Sequence, residues 1–190
     1  MRLFDWGRAA GHQAIVRLFQ RFDQGSATRV QSSSYRGLFD KSHLKSITLD
    51  VDSSVITRWG SQMQGAAKGY NPKNHGRASH HPLLAFVADG RLVANCWLRP
   101  GNTNSLNNAR GFLQETRSNL GPTVVGLFRA DSGFYDKGIL AFLKTRQINY
   151  LISARLTQAL QQAIVEQCQW LQVAPGLAVS ELLYTPSCLG

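Results

Sequence analysis

Two apolar periodicities follow one another between residues 46 and 155, and their order limits the chain to few folds. The first segment alternates apolar with polar residues, as a strand with one buried face requires. Its apolar residues are Ile47, Leu49 and Val51. Two further apolar runs, 81–88 and 91–98, are separated only by Asp89-Gly90, a dipeptide typical of tight turns. The sequence therefore predicts three successive strands, the last two forming a hairpin.

Helical and apolar segments alternate after the hairpin. The predicted elements are a helix from Asn102 or Thr103 to Leu120, a strand at 123–130, a helix at 135–146 and a strand at 149–154. The run at 123–130 is almost continuously apolar, as in a central strand covered on both faces. Three strands followed by helix, strand, helix and strand form a mixed sheet with flanking helices, so the predicted fold class is α/β.

Residues 1–45 are assigned to an N-terminal helical segment and a connection. Apolar residues at helical spacing predict an amphipathic helix, and they are Ile15, Leu18, Phe19 and Phe22. We expect its apolar face to cover the core and its basic face to meet solvent, with a DNA-binding segment as the alternative. The stretch 23–43 has turn residues and little periodicity, which indicates a connection.

Residues 156–190 do not continue the alternation of helices and strands. The run at 156–167 predicts a helix, and 169–174 and 179–184 predict two strands that have no place in the mixed sheet. We therefore assign this stretch to a helix and the first strands of a separate β-rich unit.

The charge of the chain indicates a polyanionic partner such as nucleic acid. The 190 residues include 21 Lys plus Arg against 11 Asp plus Glu, a formal net charge of +10. A hydrophobic fraction of 43% excludes a disordered chain. No signal peptide or apolar run long enough to span a membrane is present, so we expect a cytoplasmic protein without a membrane partner. The three cysteines include no CxxC pair and predict neither a zinc site nor a disulfide framework.

Carboxylates come near the ends of two predicted strands that can be neighbours. Asp50 and Asp52 lie on the first strand, and Asp131 ends the strand at 123–130. Paired carboxylates beside a basic surface suit Mg²⁺, which activates water or a hydroxyl at phosphate groups. Spacing alone leaves a structural role open, because Asp near strand ends also serves turns and caps.

Four ordered segments resemble bacterial insertion-sequence transposases of the DDE class, and these segments are 46–55, 65–86, 98–113 and 128–143. The resemblance implies a ribonuclease-H-like catalytic core that cuts and joins DNA with Mg²⁺, or with Mn²⁺ in its place. It implies Asp52 and Asp131 as catalytic, metal-binding residues, with Asp50 the less favoured choice, because the family's first Asp directly precedes a Ser/Thr pair. The implied partners are double-stranded DNA, at transposon ends and target, and further copies of the chain. A nucleoid-associated location in bacteria follows from the same resemblance.

The third acidic residue of the family, a Glu in a Tyr-x2-Arg-x3-Glu-x6-Lys pattern, has no counterpart. After Asp131 the acidic residues are Asp136, Glu166 and Glu181, and no Lys or Arg follows Arg155. We therefore expect residues 46–155 to be an incomplete catalytic core. The ending TPSCLG is interpreted as a truncation within a β-rich insertion, and the N-terminus as lacking most of the end-recognition region.

The segment 58–81 is predicted to be a long loop that contacts DNA. It contains no acidic residue, and its candidate phosphate contacts are Arg58, Lys68, Lys73 and Arg77. Its glycines would let the backbone approach DNA closely, and a solvated surface loop is the alternative. His80 and His81 are adjacent on a predicted strand, so they are expected to point to opposite faces and not to share a metal.

Three functions remain from the sequence. The first is a DDE transposase whose chain is inactive for lack of the Glu. The second is a non-catalytic DNA-binding or oligomerising remnant that interferes with full-length transposase. The third is the product of a degraded copy that hardly accumulates.

Overall fold

The computed structural model describes residues 11–60 and 63–184, except for the side chain of Gln24. The ending TPSCLG and Cys188 lie outside these residues. The described helices are α1 (His12–Phe19), α2 (Gln24–Ser42), α3 (Ala109–Asn119), α4 (Lys137–Thr145) and α5 (Gln158–Glu166). The described strands are β1 (Ser46–Ser53), β2 (Ile56–Thr57), β3 (Ala67–Lys68), β4 (Ala78–His80), β5 (Leu83–Val87), β6 (Leu92–Trp97), β7 (Val124–Ala130), β8 (Asn149–Ile152), β9 (Leu171–Ala174) and β10 (Leu177–Val179).

A five-stranded mixed sheet in the order β6-β5-β1-β7-β8 forms the centre of the fold. The β5–β6 hairpin is antiparallel, β5 runs antiparallel to β1, and β7 and β8 run parallel to β1. β1 is thus central, with β7 as its parallel neighbour. The predicted α/β fold class, a mixed sheet with flanking helices, is confirmed.

The core lies on one face of this sheet, against α3 and α4. On β1, Ile47, Leu49 and Val51 are buried, which confirms the predicted alternation. Phe112 of α3 is fully buried and makes an edge contact with Trp97, with ring centroids 5.4 Å apart. Burying side chains of this size contributes most of the favourable free energy of folding.

The opposite face of the sheet remains partly exposed. Val124 of β7 is 53% exposed and Leu151 of β8 is 64% exposed. Helices α3 and α4 line one small cavity together with Leu49 and Phe128, so both lie on the core face. The prediction that the strand at 123–130 is covered on both faces is therefore wrong for the described residues. Apolar composition alone does not report which helices are present to cover a strand.

Helix α2 replaces the connection predicted at 23–43. The Asp23 side chain caps it by accepting a hydrogen bond from the Ser26 N–H at 2.6 Å. Of the described side chains of α2, only Tyr35 and Phe39 reach the core, so the Ser-rich sequence lacks an apolar stripe that could be recognised. Packing of these two aromatic residues stabilises a helix that local propensity does not favour.

Helix α1 forms as predicted, but it does not cover the core. None of its residues is buried, and Phe19 is 69% exposed. An amphipathic pattern shows that a helix can present an apolar face, whereas the partner of that face depends on tertiary contacts.

Helix α3 begins at Ala109, several residues after the predicted start at Asn102 or Thr103. The Asn104 side chain accepts hydrogen bonds from the N–H groups of Leu106 and Asn107 at 2.9 and 3.0 Å. Such local bonds compete with the helical pattern and hold this segment in turns. Arg99, a buried residue, donates to the carbonyl oxygens of Asn104 and Asn107, both at 2.9 Å, and burial lowers its pKa.

The C-terminal elements match the predicted helix and only in part the predicted strands. α5 forms within 156–167, and β9 forms within 169–174. The partner strand β10 ends at Val179, where the second strand was expected to begin. A two-residue turn ending in Gly176, whose φ is +75°, closes the hairpin earlier than the apolar run indicated.

Within the described residues 58–60 and 63–81, two short strands, β3 and β4, interrupt the long loop that was predicted. β2, β3 and β4 form a three-stranded antiparallel sheet in the order β2-β4-β3. Its backbone approaches the following chain at Gly69, where an added Cβ would overlap the Gly101 carbonyl oxygen. Gly69 thus serves close packing within the protein.

Substitution of Gly69 is expected to detach this small sheet from the chain near Gly101. Gly69→Ala should lower the free energy of unfolding by about 1–3 kcal/mol, because a backbone oxygen must move. Gly60→Ala is the matched control, since nothing lies within 4 Å of its added Cβ. Urea unfolding of both variants measures the difference, and equal stabilities would contradict the close packing.

Candidate active site

The parallel pairing of β1 with β7 brings two carboxylates to one end of the sheet. Val51 and Ala130 are paired across the strands, and Asp52 and Asp131 are the next residue of each chain segment. Both acids line a shallow, open concavity, together with Asp50, Val51, Arg129, Ala130, Leu151 and Ser153. The neighbouring strands expected from the sequence are thus confirmed, and they place the two acids side by side.

In each of these carboxylates, one oxygen accepts a hydrogen bond from a backbone N–H and the other accepts none from the described residues. Asp131 Oδ1 accepts the Gly133 N–H at 2.9 Å, which caps a 3₁₀ turn at Ser132–Phe134. Asp52 Oδ1 accepts the Ser53 N–H at 2.7 Å. Within residues 11–60 and 63–184 no hydrogen-bond donor reaches Oδ2 of either acid. These two carboxylate oxygens are the type of ligand that Mg²⁺ and Mn²⁺ prefer, and they could supply part of the coordination of such an ion.

Asp50 lies on the same face of β1 as Asp52, but it is held in an ion pair. Arg129 Nε and Nη2 donate to Asp50 Oδ1 and Oδ2 at 2.6 and 2.7 Å. This two-pronged hydrogen bond raises the pKa of Arg129 and occupies both carboxylate oxygens. The pair distinguishes Asp50 from Asp52, a distinction that spacing alone left open.

No third ligand joins Asp52 and Asp131 in the part of the chain that the structure describes. There, no three His, Cys, Asp or Glu residues come together as a metal cluster. Glu166 lies at the end of α5 and accepts a hydrogen bond from Gln162 at 2.7 Å. The described residues therefore bring the carboxylates of Asp52 and Asp131 together at this end of the sheet, with no third acidic side chain completing a metal cluster.

A partly buried polar network includes Ser53, the residue next to Asp52. His81 Nδ1 lies 2.6 Å from the Thr103 carbonyl oxygen, and its Nε2 lies 3.1 Å from Ser53 Oγ. A carbonyl oxygen only accepts, so Nδ1 carries a proton and donates to Thr103, while Nε2 lies within hydrogen-bond distance of the Ser53 hydroxyl. Ser53 Oγ in turn lies 2.8 Å from Ser105 Oγ.

Ser105 brings this network close to the turn that follows the second acid. An added Cβ at Gly133 would lie 3.0 Å from both Ser105 Oγ and Asp131 Oδ1, so no larger residue fits there without displacement. Ser53 follows Asp52 directly, and Gly133, which Ser105 approaches, lies two residues after Asp131. Sequence reasoning missed Ser53, Ser105 and the support by His81, because their partners are distant in the chain.

Loss of the imidazole is expected to destabilise this network. His81→Leu leaves the Thr103 carbonyl and the Ser53 hydroxyl without their partner and should cost about 1–3 kcal/mol of the free energy of unfolding. His75→Leu, at an exposed position, should cost less than about 0.5 kcal/mol. Chemical denaturation compares the two, and a similar cost for both would contradict a structural role of the network.

The candidate DNA-binding residues lie on the small sheet and its connections. Lys68, Lys73 and Arg77 are exposed, whereas Arg58 is partly buried and its Nη1 lies 3.4 Å from the Met63 carbonyl oxygen. Arg77 stacks over the Trp59 ring, with Cζ 4.5 Å from the ring centroid. The small sheet and its connections carry these residues together. The first strand of the sheet, β2, begins a few residues after Asp52.

The two candidate histidines contact different groups. His80 Nε2 lies 3.1 Å from the Gln64 carbonyl oxygen, whereas His81 joins the network beside Asp52. Both side chains are buried. Each ring is thus engaged within the protein, by partners on different segments.

The structure resembles several solved transposase complexes. A cryo-EM structure of the piggyBac transposase synaptic complex with hairpin DNA has a TM-score of 0.49 and 11% identity over 83% of this chain and 33% of that chain. The Mos1 transposase paired-end complex with the left transposon end has a TM-score of 0.39 and 14% identity, covering 80% and 46%. The Drosophila P element transposase strand transfer complex has a TM-score of 0.36 and 12% identity, covering 76% and 38%. The chain spans less than half the length of each.

Three further observations concern the sequence and the described helices. No curated protein sequence matches it. Among the described residues, none of the helices combines the length and the apolar character needed to cross a membrane. The family model described as "Transposase DDE domain group 1" matches residues 2–175. The chain therefore belongs to the DDE transposase domain family.

Proposed function

We propose that the chain contributes Asp52 and Asp131 to the metal site of a DNA transposase. The intact enzyme would hydrolyse DNA at transposon ends and then join the freed 3′-hydroxyl to target DNA. The observation that carries this proposal is the pair of acids after neighbouring parallel strands, each with Oδ2 available. When bound there, Mg²⁺ or Mn²⁺ would supply charge neutralisation at the phosphate and activation of the attacking oxygen.

The chain's own residues orient the site in this proposal. Backbone N–H groups fix the rotation of both carboxylates, and the network of His81, Ser53 and Ser105 holds the adjacent backbone. The Arg129–Asp50 pair places a cation beside the same concavity, where a DNA phosphate can meet it. Lys68, Lys73, Arg77 and Arg58 extend the basic surface along the duplex.

The chain alone is inactive in this proposal. Two carboxylates do not position two metal ions for both the attacking and the leaving oxygen, and the described residues bring no third acid to them. A further carboxylate must come from another polypeptide segment. The second candidate function is non-catalytic: the chain binds DNA without cutting it. The exposed basic residues and the incomplete ligand set favour it.

Localised oxidative cleavage tests the site without requiring catalysis. Fe²⁺ takes the place of Mg²⁺ and reduces added hydrogen peroxide to hydroxyl radicals, which cut the DNA backbone nearest to the bound ion, while ascorbate returns Fe³⁺ to Fe²⁺. A transposon-end duplex should be cut at a few positions by the natural chain and at none by Asp131→Ala. Cuts that are diffuse, or that persist in Asp131→Ala, would contradict a metal site at the DNA.

An ordinary strand-cleavage assay tests the incompleteness of the chain. With Mg²⁺ or Mn²⁺ the purified chain should leave the duplex intact, at the background level of Asp131→Ala. Cleavage by the natural chain that disappears in Asp131→Ala would show that Glu166, Glu181 or a second copy completes the site.

A further inference from the structure

We propose that Trp59, backed by Arg77, binds an unpaired DNA base by stacking. The inference rests on the proposed function, in that it takes DNA as the partner, and it names the part of the DNA that this surface recognises. The carrying observation is an exposed indole, 70% accessible to solvent, stacked on one cation.

The geometry of the small sheet holds the two side chains together. β2 and β4 pair Ile56 with His80 and Thr57 with Ser79, and the Arg58 N–H donates to the Ala78 carbonyl at 2.9 Å. Continuing this antiparallel register places Trp59 directly opposite Arg77. Side chains at such a pair lie on the same face of the sheet and are close enough to stack.

The platform formed by Trp59 and Arg77 has one covered face and one open face. The Arg77 guanidinium lies over the ring, with Cζ 4.5 Å from its centroid, and contributes a cation–π attraction. The accessibility of Trp59 leaves the rest of the indole to solvent. A flat aromatic partner can cover the whole face of this exposed ring, so it buries more apolar area than a partner of another shape would.

The charge around the platform favours a nucleotide over a protein side chain. Residues 53–88 contain no Asp or Glu, so no carboxylate in this segment repels phosphate or neutralises Arg77. Arg77 can contact a phosphate while it remains stacked on the indole. A base on the ring and a phosphate on the guanidinium together match one nucleotide.

The base must be unpaired, because paired bases are already stacked inside the duplex. A base at a strand end, in an overhang or outside the helix has a free face, and stacking on an aromatic side chain does not require a particular base. Trp59 is seven positions after Asp52, so their Cα atoms are at most about 25 Å apart. The platform is therefore within reach of DNA held at the candidate site.

The test uses the full chain and two duplexes that share one 2-aminopurine strand: in the first duplex the 2-aminopurine pairs with thymine, and in the second the complementary strand lacks that thymine, so the 2-aminopurine is unpaired. Binding is measured by anisotropy and stacking by quenching of 2-aminopurine fluorescence. The natural chain should prefer the unpaired duplex and quench its fluorescence. Trp59→Ala should bind that duplex on the order of 10-fold more weakly and lose the quenching, with little change for the paired duplex. Trp59→Phe should retain part of both.

Trp170→Ala is the matched control, because Trp170 is 50% exposed and lies outside the basic segment. It should leave both affinities and the quenching unchanged. A Trp59→Ala variant that weakens paired and unpaired DNA equally, or that retains the quenching, would overturn the inference while leaving DNA binding intact. Absence of binding to either duplex by the natural chain would instead contradict the proposed function itself.

Discussion

Replacing Asp131 by Asn is expected to weaken Mn²⁺ binding by more than about 10-fold, and Asp52→Asn should do the same. Each substitution removes a charged oxygen from the candidate site, and even changes to groups around metal ligands cost roughly 10- to 100-fold in affinity. The amide can keep the backbone hydrogen bond from Gly133 or Ser53, so the fold should persist. Electron paramagnetic resonance of free Mn²⁺ during a titration measures the affinity directly.

Two control variants test whether the loss of Mn²⁺ affinity is specific to Asp52 and Asp131. Glu166→Gln removes an exposed carboxylate elsewhere and should leave Mn²⁺ affinity unchanged. Asp50→Asn breaks the ion pair with Arg129 and should reduce the affinity less than either Asp52→Asn or Asp131→Asn. Loss of Mn²⁺ binding in Asp50→Asn but not in Asp52→Asn would assign the first ligand to Asp50.

Neutralising Lys68, Lys73 and Arg77 together should flatten the salt dependence of duplex binding. The slope of log affinity against log salt changes by about 0.9 for each lost phosphate contact, so three contacts would change it by about 2.7. A change of this size corresponds to a large loss of affinity at low salt, where phosphate contacts dominate. Fluorescence anisotropy of a labelled duplex at several salt concentrations gives both slopes.

The matched control removes the same charge from another surface. Arg29, Arg36 and Lys41 lie on α2 and are exposed, and their joint replacement by Ala lowers the net charge equally. This control should change the slope by less than the first variant. Equal slopes for the two triple variants would show that net charge, and not the small sheet, determines DNA binding.

Local patterns were sufficient for most of the central sheet. The alternation around Leu49 predicted β1, and the Asp89-Gly90 turn predicted the β5–β6 hairpin. In these strands the buried apolar residues recur with the two-residue period of a strand. The pattern is therefore visible in the sequence without knowledge of distant partners. Helix α2 escaped prediction because its two core residues, Tyr35 and Phe39, stand in a polar sequence.

The sequence by itself determined the fold class, the basic character of the chain and the positions of Asp52 and Asp131 at strand ends. Only the tertiary structure decided that Asp50 is bound by Arg129, that His81 supports Ser53, and that Arg77 stacks on Trp59. Each of these contacts joins residues far apart in the chain. The register of strand pairing sets which side chains meet, and a single-residue shift would turn every side chain of a strand to the other face. Periodicity specifies each strand, whereas packing of the whole sheet specifies that register.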